Sequence, residues 1–274
     1  MNRVPFFDAQ VREAFWRLAG QFSLLLSFLF IVVELPPEWK NLWVVLGIVA
    51  GLALLYVAIW WQAQRTSQVS LTINDTLVHV KVGDIFAEPG LKVIACNEYF
   101  DTIVDNRLVT ATSLNGVFLR ERVPDVAVLD AAIASDAHLA TRRLPSVPRP
   151  YGKAQRYELG SLMEYDGFLL LAFARYDEEQ RGFLSIKDYT ACMLTFWSEV
   201  ELLYAGRPIV VPLMGAGITR FLGYSTITPQ ELLELMLVTL KLSRLTLKSD
   251  CAVTFIVHDT TRPRINFHKL TTIV

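Results

Sequence analysis

The sequence predicts a mixed α/β sheet flanked by helices, carried on an N-terminal hairpin of two transmembrane helices. Two observations predict it. Residues 42–61 form a 20-residue stretch with no charge, and residues 18–35 form an 18-residue stretch whose only charge, Glu34, sits near its end. Behind them, continuous apolar segments of strand length alternate with helical patterns, the arrangement of a sheet covered on both faces.

A helix needs about 20 apolar residues to cross a hydrocarbon core of roughly 30 Å. Residues 42–61 meet that length and 18–35 nearly do. A helix on the surface of a soluble protein keeps a polar face, and neither stretch has one. Between them, Pro36-Pro37-Glu38-Trp39-Lys40-Asn41 ends the first helix, and Trp39 and Trp43 suit the headgroup level. So short a link requires an antiparallel hairpin. Arg3, Arg12 and Arg17 precede the first helix and Arg65 follows the second, whereas the loop carries only Lys40. The excess of positive charge predicts both chain ends on the cytoplasmic side of a cytoplasmic membrane. A cleaved signal peptide fits less well, because the apolar run is too long and no small-x-small site follows it.

Residues 1–66 are thus expected to form the anchor and 67–274 a cytoplasmic domain. Five of the 26 Lys and Arg and four of the 27 Asp and Glu lie before Ser67, leaving 21 against 23. That balance offers no broad footprint for nucleic acid. Cys96, Cys192 and Cys251 are isolated, with no CxxC or metal spacing, and fit a reducing compartment.

Within the domain, residues 77–82 alternate as a strand ending at Gly83-Asp84, and 91–96 read as a buried strand. Residues 97–115 are polar and irregular, a candidate site loop. Residues 117–137 read as one helix. Residues 138–160, rich in Pro and Arg, read as a solvated surface excursion. Strands follow at 167–174 and 208–213, a helix at 186–204, and a last strand at 251–257. A helix over 229–245 opens with Thr228 as cap, Pro229 at its first position and Glu231 at its third.

Ligands of such sheets bind beyond the carboxyl ends of the strands. Three unusual segments fall there: Gly83-Asp84-Ile85-Phe86, the loop after Cys96, and Gly215-Ala216-Gly217. In the last, small residues let a phosphate approach backbone N–H groups closely, although the spacing is neither a Walker A nor a Rossmann pattern. Asp84 could accept from an adenine amino group or close the strand end as an Asx turn. His258 and Asp259 read as a turn or as a contact to a ligand's variable group. His79 is expected to face solvent. No Ser-His-Asp order, metal cluster or activated nucleophile stands out.

Together Val82-Gly83-Asp84-Ile85, the strand ending near Asn97, the Asn115-Gly116-Val117 segment and the late Pro212-Leu213-Met214-Gly215-Ala216-Gly217-Ile218 loop resemble a macro domain, over roughly residues 75–260. With the hairpin and the continuation through Thr219 and Arg220, the chain is similar to the transmembrane macro effectors of type II Thoeris antiphage systems. That resemblance implies a non-enzymatic sensor of an ADP-ribose derivative, histidine-ADP-ribose, made by a TIR-domain partner. It also implies a homo-oligomer that damages membrane lipids on ligand binding, without a cofactor. Asp84 and Ile85 would meet adenine. Gly215, Ala216, Gly217, Ile218 and Thr219 would wrap the pyrophosphate. Asn115, Gly116 and Val117 would lie near the phosphates and distal ribose. Phe221 could stack on ribose or base, and Arg220 could pair with a phosphate or with an acid outside the site. A membrane-tethered ADP-ribosyl hydrolase and an anchored ADP-ribose-binding scaffold are the alternatives. Against hydrolysis, Ser113-Leu114-Asn115-Gly116 replaces the family's run of glycines.

Overall fold

The computed structural model describes residues 4–32, 37, 41–177, 179–217, 219–223, 227–248 and 251–272. Most of the predicted inter-helix turn, the end of the first apolar stretch and Ile218 therefore lie outside the described residues. The chain divides into two units, one of residues 1–67 with 266–271 and one holding the rest.

In the first unit, α1 (Ala9–Val32) and α2 (Leu42–Arg65) each have 24 residues, about 36 Å of helix. Both are long and apolar enough to cross a membrane, and their apolar side chains are largely exposed. α1 starts nine residues earlier than predicted. Asp8 explains this, because its carboxylate accepts from the Gln10 N–H at 2.9 Å and so caps the first turn. The segment before it folds against α2. Tyr56 and Trp60 donate to the carbonyls of Phe6 and Val4 at 2.6 and 3.1 Å, and Val4, Val11 and Ala63 form a small buried cluster. An added Cβ at Gly47 or Gly51 would meet nothing within 4 Å, so these glycines do not pack the hairpin against itself.

The second unit is a mixed nine-stranded sheet with helices. Its elements, in chain order, begin with β1 (Gln68–Ile73), β2 (Thr76–Val82), β3 (Leu91–Asn97), α3 (Leu114–Glu121), α4 (Val126–Ser135) and α5 (Ala137–Ala140). β4 (Arg143–Leu144), β5 (Arg156–Tyr157), β6 (Leu162–Tyr165), β7 (Phe168–Tyr176), β8 (Gly182–Ser185) and α6 (Ile186–Leu203) follow. β9 (Ile209–Pro212), β10 (Arg220–Leu222), α7 (Pro229–Ser243) and β11 (Ala252–Val257) complete it. The sheet order is β1-β2-β11-β9-β3-β7-β8-β10, with β6 also paired to β7. β2, β11, β9, β3 and β7 run parallel, so their carboxyl ends share one edge. Burial on both faces accounts for the apolar runs: Leu169–Phe173 of β7 and Ile209–Val211 of β9 are all buried.

Three expectations change. The single helix over 117–137 is two helices, because Pro124 cannot continue α3 and Asp125 caps α4 through the Ala127 N–H. His79 is not simply solvated, since its Nδ1 pairs with Ser70 Oγ at 2.8 Å across the β1–β2 hairpin. The excursion at 138–160 is exposed at 145–148 and 150–152 as expected, but it is also pinned to the domain. Arg142 reaches Glu199, which is wholly buried, at 2.6 Å, and Arg156 reaches buried Glu98 at 2.9 Å.

The start of α7 has the predicted form. Thr228 Oγ1 accepts from the Glu231 N–H at 3.2 Å and the Glu231 carboxylate accepts from the Thr228 N–H at 2.7 Å. Thr228→Ala removes one half of this box, and a loss of about 1 kcal/mol is expected by chemical denaturation of the full chain in detergent.

Candidate functional site

The parallel carboxyl ends open on a cavity of about 750 Å³, within the size range of small-molecule sites. Each wall follows from a local feature of the chain. β2 ends at Val82, and the N–H of the next residue, Gly83, donates to the Val257 carbonyl at 3.1 Å and ties the strand end to β11. Asp84 then caps the short 3-10 turn Ile85–Ala87, its Oδ1 accepting from the Phe86 N–H at 3.0 Å. Asp84 therefore closes the strand end as an Asx turn and also lines the cavity, exposed to it. Ile85 is buried against Val210 and Ile256.

Opposite, β9 runs into Leu213-Met214-Gly215-Ala216-Gly217, with Leu213 N–H bonded to the Ile256 carbonyl at 3.1 Å. Gly215 has φ +80°, and an added Cβ would meet the Phe221 ring at 2.9 Å. Glycine is required there on both counts. This loop does not lead directly into the helix over 229–243. β10 intervenes and pairs with β8.

The amino end of α3 supplies the third wall. Ser113 caps it, with Oγ accepting from the Gly116 N–H at 3.1 Å. A Cβ on Gly116 would stand 2.2 Å from the Thr110 carbonyl, so the chain crosses itself too closely there for any side chain.

Of the predicted residues, Asp84, Ile85, Asn115, Val117, Gly215, Ala216, Gly217 and Thr219 line the cavity. Gly116 lies behind the wall. Phe221 is packed edge-on against Tyr189, at 5.7 Å between ring centroids. Arg220 is exposed on β10 and makes no ion pair among the described residues. His258 lines the rim and also forms the turn, its Nδ1 pairing with Thr260 Oγ1 at 2.9 Å.

Sequence reasoning missed Cys96, Tyr176, Glu121 and Arg122 as lining residues. Pro124 was the available signal that α3 ends at Glu121 and turns Arg122 towards Phe86, whose ring lies 5.2 Å beneath the guanidinium. Cys96 is buried and its thiol contacts Asn115 Oδ1 at 3.7 Å. Burial pushes that thiol up to about 12, only partly opposed by Lys153, so it offers no thiolate at neutral pH. Burial likewise raises the Tyr176 hydroxyl, which donates to the Leu108 carbonyl at 2.6 Å.

Asn97, where β3 ends, also lines the cavity, yet its carboxamide is committed to the fold. Oδ1 accepts from the Tyr99 and Asp101 N–H groups, and Nδ2 donates to Asp101 Oδ2 at 2.9 Å. Buried Asp101 in turn pairs with buried Arg149 at 3.0 Å and accepts from the Lys153 N–H at 2.8 Å. Arg149 stacks on Tyr99, 3.9 Å from the ring centroid, and donates to Gln180. The excursion thus clamps the loop after β3, and through it one end of the cavity.

A family model described as the macro domain of Thoeris protein ThsA matches residues 78–258. The chain belongs to the Thoeris ThsA macro-domain family. The match spans from β2 to the first residue past β11 and so contains all three walls of the cavity. The Thoeris protein ThsA of Bacillus amyloliquefaciens (strain Y2) is 36% identical over 233 residues, 83% of this chain and 78% of that protein. Solved structures of similar shape include an Oceanobacillus iheyensis macrodomain mutant with ADPR and the macrodomain of the same organism with ADP. Each is 14% identical with a TM-score of 0.47 and aligns to 75% of this chain, covering 96% and 94% of the respective structures. Among the described residues, no cluster of His, Cys, Asp or Glu is placed to hold a metal ion in this ThsA-type domain.

Arg149→Ala is expected to destabilise the full chain by about 3 kcal/mol, the lower end of the cost of breaking a buried pair, because Asn97 and the Lys153 N–H still donate to Asp101. Denaturant titration checks this.

Proposed function

We propose that the cavity binds an ADP-ribose-type nucleotide and that the protein is a ligand-gated membrane effector of antiphage defence. One observation carries this reading. Gly83-Asp84-Ile85, the left-handed turn at Gly215 and the capped amino end of α3 face one cavity. That arrangement suits a ligand with a hydrogen-bonding base at one end and a pyrophosphate in the middle. Asp84 meets the adenine amino group with a carboxylate already oriented by its bond to Phe86. Backbone N–H groups of 215–219 and the positive end of α3 take the phosphates. Asn115 and Val117 lie beside the phosphates and distal ribose, with Gly116 allowing α3 to approach. Phe221 supports the phosphate turn from behind Gly215. Arg220, off the cavity, is left for an acidic partner.

The signal is histidine-ADP-ribose, supplied by a TIR-domain protein, and the domain senses it without turning it over. The buried, protonated Cys96 thiol supports that reading, as does Ser113-Leu114-Asn115-Gly116 in place of the family's run of glycines. The two helices anchor the chain in the cytoplasmic membrane with both termini in the cytoplasm, as the Arg residues outside the loop favour. Ligand-bound chains assemble, and their hairpins disturb the bilayer. The open faces at Gly47 and Gly51 support association between hairpins, where small residues let helix backbones pack closely.

Calorimetry of the full chain in detergent, with ADP-ribose and its histidine conjugate, tests the binding. Gly217 has open space around its Cβ position, so Gly217→Glu should fold normally and abolish binding by setting a carboxylate against the phosphates. Asp84→Ala should weaken binding by about 1.5–3 kcal/mol. Wild-type affinity in a folded Gly217→Glu chain would remove the assignment.

The membrane step has a separate readout. Gly47→Leu with Gly51→Leu should leave nucleotide affinity unchanged and abolish depolarisation of cells making the signal. Unchanged depolarisation by an inserted double variant would show that these faces play no part.

A further inference from the structure

The sheet has two unlike edges. β10, at one end, has three residues. β1, at the other, has six, and among the described residues its ladder partners all belong to β2. The hairpin between them turns on Asn74 and Asp75, both left-handed with φ of 50° and 60°. In such a two-residue hairpin the flanking residues, Ile73 and Thr76, form a hydrogen-bonded pair, and bonded pairs alternate from there. Ile73, Leu71 and Val69 therefore turn their backbone groups towards β2. Thr72, Ser70 and Gln68 turn theirs outward. Natural sheets shield a free edge with Lys, Pro, a bulge or an inward charge. Gln-Val-Ser-Leu-Thr-Ile has none of these, and its register with β2 is unbroken from Gln68 to Ile73.

We infer that β1 is a docking edge for a second copy of this chain, the two β1 strands pairing antiparallel about a twofold axis at Ser70. Outward-facing residues must meet outward-facing residues. Centring on Ser70 sets Ser70 against its own copy and Gln68 against Thr72 at both ends, so three bonded pairs form. Centring on Val69 or Leu71 keeps only two. The strand carries no charge, so no like charges oppose each other, and a twofold contact is closed and self-complementary. Pairing of two six-residue edges buries less than the roughly 1,000 Å² that a stable solution interface needs. The contact therefore holds only where copies are already concentrated. Anchorage in one bilayer supplies that concentration, and in this the inference rests on the membrane reading above.

The test uses the full chain in liposomes and a short bis-maleimide reagent. Cys96, Cys192 and Cys251 are buried and do not compete. Ser70→Cys should give a covalent dimer, and Asp75→Cys, at the hairpin tip, far less. Adding Thr72→Pro to the Ser70→Cys chain removes an outward N–H but no bond to β2, and should cut the yield about fivefold or more. Thr72→Lys, which keeps the strand and adds a repelling charge, should do the same. No dimer at position 70, equal yields at 70 and 75, or indifference to both Thr72 variants would overturn the inference. Flotation of the same liposomes reads the anchorage separately. If the chain does not float, the membrane reading falls, and cross-linking is repeated in concentrated solution. There, a dimer at 70 but not at 75 upholds the edge, and its absence rejects it.

Discussion

Everything at the cavity depends on five strands running the same way. β2, β11, β9, β3 and β7 are held in parallel register, and each must hand its chain to a loop at the same edge. That constraint brings Gly83, Leu213, Asn97, Tyr176 and His258 together although they are scattered over 176 positions of sequence. Burial of the strands on both faces makes the edge rigid, so the loops inherit fixed starting points. Their own conformations are then set by short-range devices: the Asp84 cap, the left-handed Gly215 and the close crossing of Gly116 over Thr110.

The loop after β3 is the exception, because short-range devices do not suffice for it. Asp101 and Glu98 are buried carboxylates, and each costs far more to desolvate than it returns unless paired. Arg149 and Arg156, about fifty residues later in the chain, supply the partners. The same pairing consumes the carboxamide of Asn97, which turns inward to the Asp101 backbone and carboxylate. One end of the cavity is therefore an electrostatic assembly of two distant segments, whereas its three walls are set by local turns and caps.

This difference decides what was legible in the sequence. Strands β3, β7, β9 and β11 were readable because burial writes continuous apolar runs, and β2 because its residues alternate. The start of α7 was readable because Thr228, Pro229 and Glu231 are a local signature. Asp84 and Gly215 were readable as site residues for the same reason, since each acts within a few positions of itself. β1 carries the same alternation as β2 from Gln68 to Ile73 and was no less legible. The clamp was not legible. Arg149 in a Pro-rich run looks solvated until the fold brings Asp101 beside it, and no periodicity encodes a partner 48 residues away. Phe221, which the resemblance gives as a ligand contact, packs against Tyr189 from β10 and does not line the cavity.

The β1–β2 hairpin has a special position in the chain. Thr66 and Ser67 alone separate α2 from β1, and Val82 alone separates Lys81 from Gly83 at the cavity. A ligand can shift assembly only by binding the assembled form more tightly than the free one. Contacts to Gly83 and Asp84 hold the end of β2, and β2 is the strand on which β1 is registered. That end is already fixed by the bonds of Gly83 to Val257 and of Phe86 to Asp84. On the reading proposed here, a nucleotide at Gly83 and Asp84 and a second copy at β1 would bear on one two-stranded hairpin, and coupling between them would run through its register.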